Sequence, residues 1–241
     1  MKDKFLHERK PQGGRSGKSN RAMLNAILYW LNTGIPWRDL PERFGSWQSV
    51  YSRFRGWTKA GVWENILTAL IEQDLVEETT LMLDSTAIKV HNTLVGLKRG
   101  YHEETGRSRG GLTTKVHAVT DGLGNPLRFL LSSGNCNNIR VAQTLLEPFD
   151  LNGKLILADN GYDSDKFVRW LEERGRIVVI PSRIIAKHPQ KTDWHTYKER
   201  HLVENLFLKL KNNRRFATRY EKKALYFHAV VCLACILVWL L

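Results

Sequence analysis

The chain has 241 residues, 42% of them hydrophobic, which is enough for one good core or for one core plus a small second domain. Lys and Arg number 37 against 24 Asp and Glu, a net charge of +13 that points to a polyanionic partner: nucleic acid first, an anionic membrane second. Three cysteines exclude a disulfide framework, and Cys232-x-x-Cys235 lacks the second pair of a zinc site, so both read as core residues of a protein suited to a reducing cytoplasm.

Residues 1–20 read as a flexible basic arm, rich in glycine and poor in apolar residues, with no central apolar stretch of the signal-peptide kind. Residues 21–32 follow as an amphipathic helix, with Met23, Leu24, Ile27, Leu28 and Leu31 at helical spacing. Ser46 is placed to cap a second helix running to Lys59, in which Trp47, Tyr51, Phe54 and Trp57 form an apolar stripe suited to the core. The opposite face carries Gln48, Ser52, Arg53, Arg55 and Lys59, and Arg53 and Arg55 are candidate DNA contacts of a recognition-helix kind. A third helix over residues 62–73 completes a small all-α, helix-turn-helix-like module spanning residues 21–78.

The pattern changes near Thr79. Residues 81–90 read as a strand with Asp84 inside it, and residues 98–113 as a polar Gly/Arg-rich loop. Residues 114–121 and 127–132 read as two strands joined by a turn, followed by a helix over 139–148 and a strand over 154–158 that ends at Asp159. Asp163 or Ser164 is expected to cap a helix to Glu173, stopped by Gly175, and residues 176–181 form a fifth strand. One helix is expected over 197–215 and an apolar one over 224–241. The first three strands suit an antiparallel meander and the last two suit parallel strands with crossovers. The final 18 residues are nearly all apolar, but His228 and two cysteines interrupt them, so a helix buried against the sheet is preferred to a membrane anchor.

Chemistry is suggested by three carboxylates. An ionised Asp84 inside an apolar strand is expensive unless a cation or several donors compensate it, which favours a metal ligand over a structural aspartate. Asp159 stands at the C-terminal end of a buried strand, where ligand sites gather, although an Asx turn into Asn160-Gly161 is the plain alternative. Glu204 gains weight from its neighbours: at about 100° per residue, Tyr197, Arg200, Glu204 and Lys211 share one narrow helical face. Residues 183–223 hold 12 basic and 4 acidic residues, a setting for a negatively charged substrate. Three acids can hold a pair of magnesium ions against a phosphodiester, with Arg200 and Lys211 on its phosphates.

Leu83-Asp84-Ser85-Thr86, Ala158-Asp159-Asn160-Gly161-Tyr162-Asp163 and Tyr197-x2-Arg200-x3-Glu204-x6-Lys211 together resemble DDE transposases of bacterial insertion sequences, of the IS-five family. The segment Gly106-Arg107-Ser108-Arg109-Gly110-Gly111-Leu112-Thr113-Thr114-Lys115-Val116-His117 looks like that family's loop and second strand, and Gly34-Ile35-Pro36-Trp37-Arg38-Asp39-Leu40-Pro41 like part of its N-terminal module. The resemblance implies an α/β chain whose residues 79–241 form a ribonuclease-H-like catalytic domain, a mixed five-stranded sheet with flanking helices. It implies Asp84, Asp159 and Glu204 as catalytic, metal-binding residues for two Mg²⁺ ions, with Mn²⁺ substituting. It further implies double-stranded DNA as partner, both terminal inverted repeats and target. A homodimer or higher assembly would pair the ends, near the nucleoid and away from membranes. Arg107, Arg109, Lys115 and Tyr197 join Arg53, Arg55, Arg200 and Lys211 as expected DNA contacts. A nuclease of the same fold, or an inactive transposase-derived DNA-binding protein, are the competing readings.

Overall fold

The computed structural model describes residues 19–73, 79–95, 104–184 and 192–241. Most of the expected basic arm, and the start of the expected 98–113 loop, lie outside those residues. Three helices open the described chain: α1 (Asn20–Thr33), α2 (Trp47–Lys59) and α3 (Val62–Gln73). Ser19 caps α1 by accepting the Ala22 N–H at 3.3 Å, and Gly34 ends it with φ +74°, its N–H donating to the Trp30 carbonyl. A side chain at position 34 would be strained by that φ and would meet Arg214 Cβ at 2.7 Å. The aromatic stripe of α2 packs inward as expected: Phe54 and Trp57 are buried, and Trp37 stacks on the buried Trp30 with ring centroids 4.0 Å apart. Ser46 stands at the N-cap of α2, but its hydroxyl bonds the Gln48 side chain rather than the helix backbone.

A mixed sheet of seven strands follows. Its centre is β1 (Thr80–Val90), flanked antiparallel by β3 (Gly111–Thr120) and parallel by β5 (Leu155–Ala158). Beyond them lie β4 (Pro126–Ser133), antiparallel to β3, and β6 (Ile177–Val179), parallel to β5. These five strands are the expected meander and parallel pair. Two short strands were not expected. β2 (Gly106–Ser108) folds back on β3 through Arg109-Gly110, so residues 106–113 form a tight hairpin rather than loop. β7 (Thr218–Arg219) pairs parallel with the far end of β1.

Between strands run the four-residue α4 (Asn92–Val95), α5 (Asn138–Leu146) and α6 (Asp165–Glu172). The single helix expected over 197–215 is broken into α7 (Trp194–Tyr197), a 3-10 turn (Lys198–Arg200), α8 (His201–Lys211) and α9 (Arg214–Ala217). The cause is local. Asp193 accepts the N–H groups of His195 and Thr196 and starts helix three residues early, and Asn213 leaves helical backbone at ψ 107°. The chain closes with α10 (Ala224–Leu240). Phe227 and every residue from Ala229 to Ile236 are buried in α10, the two expected core cysteines included, and among the described residues no helix is long and apolar enough to cross a membrane.

The sheet separates two apolar clusters. Leu81 and Leu83 of β1, with Ile156 and Ala158 of β5, join α5 and α6 on one face. Met82 and Leu157 join α1, α2, α3, α8 and α10 on the other. This alternation is the period of two of an extended strand. Continued by one residue, it directs Asp84 and Asp159 to the same face of the sheet, the face against which α8 packs.

Candidate active site

Parallel pairing between β1 and β5 ends at Leu83 and Ala158, and the next residues are Asp84 and Asp159. The two carboxylates are thus set side by side by strand register, each behind an apolar stretch that holds its strand in the core. Asp84 Oδ1 accepts the Ser85 N–H at 2.7 Å, and Oδ2 faces Arg200 Nη1 at 3.3 Å. The other guanidinium nitrogen, Nη2, donates to Glu204 Oε1, so one arginine clasps acids from the sheet and from α8. Arg200 also lies over the Tyr197 ring, Cζ 5.5 Å from its centroid. Tyr197 and Arg200 are three apart across the 3-10 turn, where such side chains eclipse, and Arg200 and Glu204 are four apart into α8. Three members of the expected stripe therefore meet, although the helix is not continuous. Lys211, the fourth, is exposed in the last turn of α8.

Asp84 is only 15% exposed, and burial pushes its pKa up to about 6; the Asp159 and Glu204 charges push the same way, against the Ser85 N–H and Arg200. Burial would lower the Arg200 pKa, but Tyr197, Asp84 and Glu204 outweigh it and raise it. Beneath the acids, Tyr162 is fully buried. Its pKa is raised by burial and then by Asp84 and Asp159, so its hydroxyl stays protonated beside them.

Asp159 does form the plain alternative as well: its Oδ1 accepts the Gly161 N–H at 3.0 Å and opens the 3-10 turn Asn160–Tyr162. The turn and the site are one structure. A Cβ at Gly161 would stand 2.9 Å from Asp159 Oδ1, so the glycine leaves that carboxylate its position. Asp163 is not the expected helix cap. α6 begins at Asp165 behind Ser164, and Asp163 Oδ2 accepts the Arg183 N–H at 2.7 Å. The Arg183 side chain in turn donates to the carbonyls of Asn160 and Gly161, at 3.0 and 3.1 Å. Arg183 thus braces the turn that carries Asp159, a role sequence reasoning missed because its partners are backbone atoms.

The other expected contacts are dispersed. Arg107 and Arg109 are exposed on the β2–β3 hairpin. Lys115 donates to the Cys136 carbonyl at 2.7 Å and to Asn138 Oδ1 at 3.0 Å, and Asn138 Oδ1 also accepts from Ser85 Oγ. Lys115 is therefore linked through Asn138 to the residue after Asp84, and its ammonium is committed inside the fold. Arg53 donates to Asn20 Oδ1, and Arg55 donates to the Tyr226 hydroxyl at 3.1 Å. Arg55 borders a cleft of about 400 Å³ between α2 and the start of α10, lined also by Trp37, Tyr51 and Lys223.

Comparison with known proteins supplies the family. The sequence profile described as "Transposase DDE domain" matches residues 77–239, and the one described as "Putative transposase of IS4/5 family" matches residues 3–67. The chain is 39% identical over 133 residues to the "Putative transposase for insertion sequence element IS6501" of Brucella ovis, covering 54% of this chain and 99% of that one. It is 32% identical over 144 residues to the "Putative transposase for insertion sequence element IS402" of Burkholderia cepacia, covering 56% of this chain and 65% of that one. Among solved structures, a piggyBac transposase synaptic complex with hairpin DNA superposes with a TM-score of 0.57 at 11% identity, over 97% of this chain and 68% of that chain. At that identity the likeness is one of fold, and it agrees with a ribonuclease-H-like sheet.

Proposed function

The chain belongs to the transposase DDE-domain family, and from that premise we propose that it is an insertion-sequence transposase that cuts double-stranded DNA at the element's ends and joins the freed 3′-hydroxyl to target DNA. The single observation that carries this reading is the register of β1 and β5: it sets Asp84 beside Asp159 on the sheet face where Arg200 links Asp84 to Glu204.

The donor set fits a hard divalent cation. All three candidate ligands are carboxylates, and magnesium prefers oxygen and keeps several waters. Asp84 sits where burial and two neighbouring acids disfavour its negative charge, and a guanidinium supplies the compensating cation. Asp84, Asp159 and Glu204 are accordingly the residues that would hold two magnesium ions, with manganese as a substitute. Such ions, when bound, activate the attacking oxygen and stabilise the leaving one in an in-line phosphoryl displacement.

The chain's own residues do the rest. Gly161 and Arg183 fix the turn that presents Asp159. The guanidinium of Arg200 holds Asp84 through one terminal nitrogen and Glu204 through the other, and so steadies the negative charge of both acids. Arg107 and Arg109, exposed on one hairpin, and Arg55 at the edge of the aromatic cleft would contact backbone phosphates, which would make binding fall with salt. Pairing of two DNA ends calls for at least two copies of the chain.

The test is an end-cleavage assay on labelled DNA carrying the element's ends, with Mg²⁺ or Mn²⁺, beside Asp84→Asn and Glu204→Gln. Metal-dependent nicking at the boundary, followed by joined products, and abolished in both variants with DNA binding retained, is the expected result. Nicking that never yields joined products identifies a nuclease instead. Binding without cleavage by the wild type identifies a DNA-binding protein and overturns the reading.

A further inference from the structure

A second cluster of ligand-type side chains, between α3 and α10, has no role assigned so far. His228 is the residue that interrupts the apolar run of α10, and Cys232 follows it by one helical turn. Both face Glu64 of α3. His228 Nδ1 is 3.0 Å from Glu64 Oε1, Cys232 Sγ is 3.8 Å from the same Nδ1, and one donor atom from each of the three residues lies within 4.8 Å of the others. Among the described residues this is the one group of three His, Cys, Asp or Glu side chains that meets so closely. The acids of the DDE constellation do not come within that distance of one another as a set.

We propose that Glu64, His228 and Cys232 bind a single zinc-class divalent ion that staples α3 to α10.

Bond geometry supports the assignment. Zinc bonds of about 2.0 Å to nitrogen or oxygen and about 2.3 Å to sulfur, at tetrahedral angles, require ligand–ligand edges of about 3.3 Å for N–O and about 3.5 Å for S–N. The observed edges of 3.0 and 3.8 Å bracket those values, and the third, from Cys232 sulfur to the Glu64 carboxylate, lies within 4.8 Å. The ligand types select the metal. A thiol and an imidazole are poor ligands for magnesium and good ones for zinc or cobalt, so this site and the carboxylate site take different ions. A vacancy in bonding also points inward: Glu64 Oε2 is buried with no hydrogen-bond partner. Access exists, because His228 and Glu64 each keep about a third of their side-chain surface exposed, enough for entry and for a water as fourth ligand. The Phe129 ring lies 4.6 Å from the His228 ring and limits its rotation.

The proton balance is simple. Binding releases the Cys232 thiol proton to solvent, and sulfur then donates its electron pair to the ion. His228 turns its Nδ1 lone pair to the metal and carries its proton on Nε2, while Glu64 exchanges its hydrogen bond from Nδ1 for a bond to the ion. The consequence is mechanical: α3 belongs to the N-terminal helical segment and α10 to the C-terminal core, so one ion would lock the two together.

Cobalt(II) is the probe. Metal-stripped full-length chain is titrated with Co²⁺ and thiolate-to-cobalt charge-transfer absorption is followed. The expected result is a band that saturates at one equivalent, is displaced by Zn²⁺ but not by Mg²⁺, and persists in Asp84→Asn and in Cys235→Ser. It should vanish in Cys232→Ser and in His228→Gln. Because Cys232 is buried, His228→Gln, at a position about a third exposed, guards against misfolding. Its thermal midpoint should match the metal-free wild type, and Zn²⁺ should raise the midpoint of the wild type alone. No band in the wild type, or a band that survives Cys232→Ser, overturns the proposal. Neither outcome bears on cleavage by the carboxylate site.

Discussion

Asp84 and Asp159 are joined by strand register: each is the residue immediately after the last parallel pair, Leu83 with Ala158. Their adjacency is therefore a property of the sheet rather than of a loop. The residue that adjusts it is Gly161, where a Cβ would lie 2.9 and 3.3 Å from the two carboxylate oxygens of Asp159. Those oxygens are the mobile end of a side chain, so Gly161→Ala should leave stability within about 1 kcal/mol while turning Asp159 aside. Metal-dependent cleavage should fall at least about tenfold, since misplacement by an ångström is costly to catalysis. A variant that cleaves at the wild-type rate would show that the Asp159 turn is structural.

Arg200 makes the second link, from Asp84 to Glu204. Lysine keeps the charge but loses the two-donor fork, so it can serve one acid and not both. Arg200→Lys is expected to lower kcat/KM for cleavage by about ten- to a hundredfold, with affinity for DNA in binding assays changed far less. Loss of binding in proportion to cleavage would instead make Arg200 a general phosphate contact.

The legible part of this site was the part whose partners are determined by periodicity. Asp84 follows an apolar run in a strand, Asp159 ends one, and Arg200 and Glu204 are four apart, so alternation and helical spacing bring them forward without knowledge of the fold. The β2–β3 hairpin was hidden because three residues of strand carry almost no pattern, and Gly110-Gly111 read as loop. Asp163 was misjudged because a cap and a tertiary acceptor use the same side chain, and only the position of Arg183 decides between them. Glu64 and His228 are 164 positions apart, and nothing in either local sequence announces the other.

A pH signature follows from His117, whose Nε2 lies 2.8 Å from Ser132 Oγ inside the sheet. Burial, and after it the Lys115 charge, lower its pKa from 6.5 to about 4. Between those values the unfolded chain takes up a proton that the folded chain refuses. Stability from this residue is thus complete above about pH 6.5 and is lost as pH falls toward 4, by on the order of 3 kcal/mol. Asp84 and Glu221, raised to about 6 and about 7, act in the opposite sense, so the informative quantity is the difference between wild type and His117→Gln. Denaturant midpoints measured from pH 7 to pH 4 should fall more steeply for the wild type. Parallel curves would mean that His117 is not held neutral.

Arg219 is where β7, the β3 edge and the approach to α10 are held together. It is fully buried, and its guanidinium donates to Thr114 Oγ1 at 2.6 Å, to the Glu221 carbonyl at 2.9 Å, and at 3.4 Å to the carbonyls of Glu104 and Lys222. Its Cζ also lies 5.4 Å from the centroid of the Phe227 ring. Arg219→Met fills much of the volume but leaves the buried Thr114 hydroxyl and three partly buried carbonyls without this donor, a buried one being worth about 1–3 kcal/mol. It also removes a cation that lowers the pKa of Glu221, whose side chain is largely buried. The loss in unfolding free energy should be on the order of 3 kcal/mol or more. Arg219→Lys should recover less than half of it, because a single ammonium cannot reach acceptors spread around a planar fork. Denaturant unfolding of the three proteins at pH 7 measures both quantities. Since the β1–β7 pairing lies at the C-terminal end of β1, five residues beyond Asp84, folded Arg219→Lys should retain the wild-type kcat for cleavage, and a large loss of kcat would connect this end of the sheet to the carboxylates.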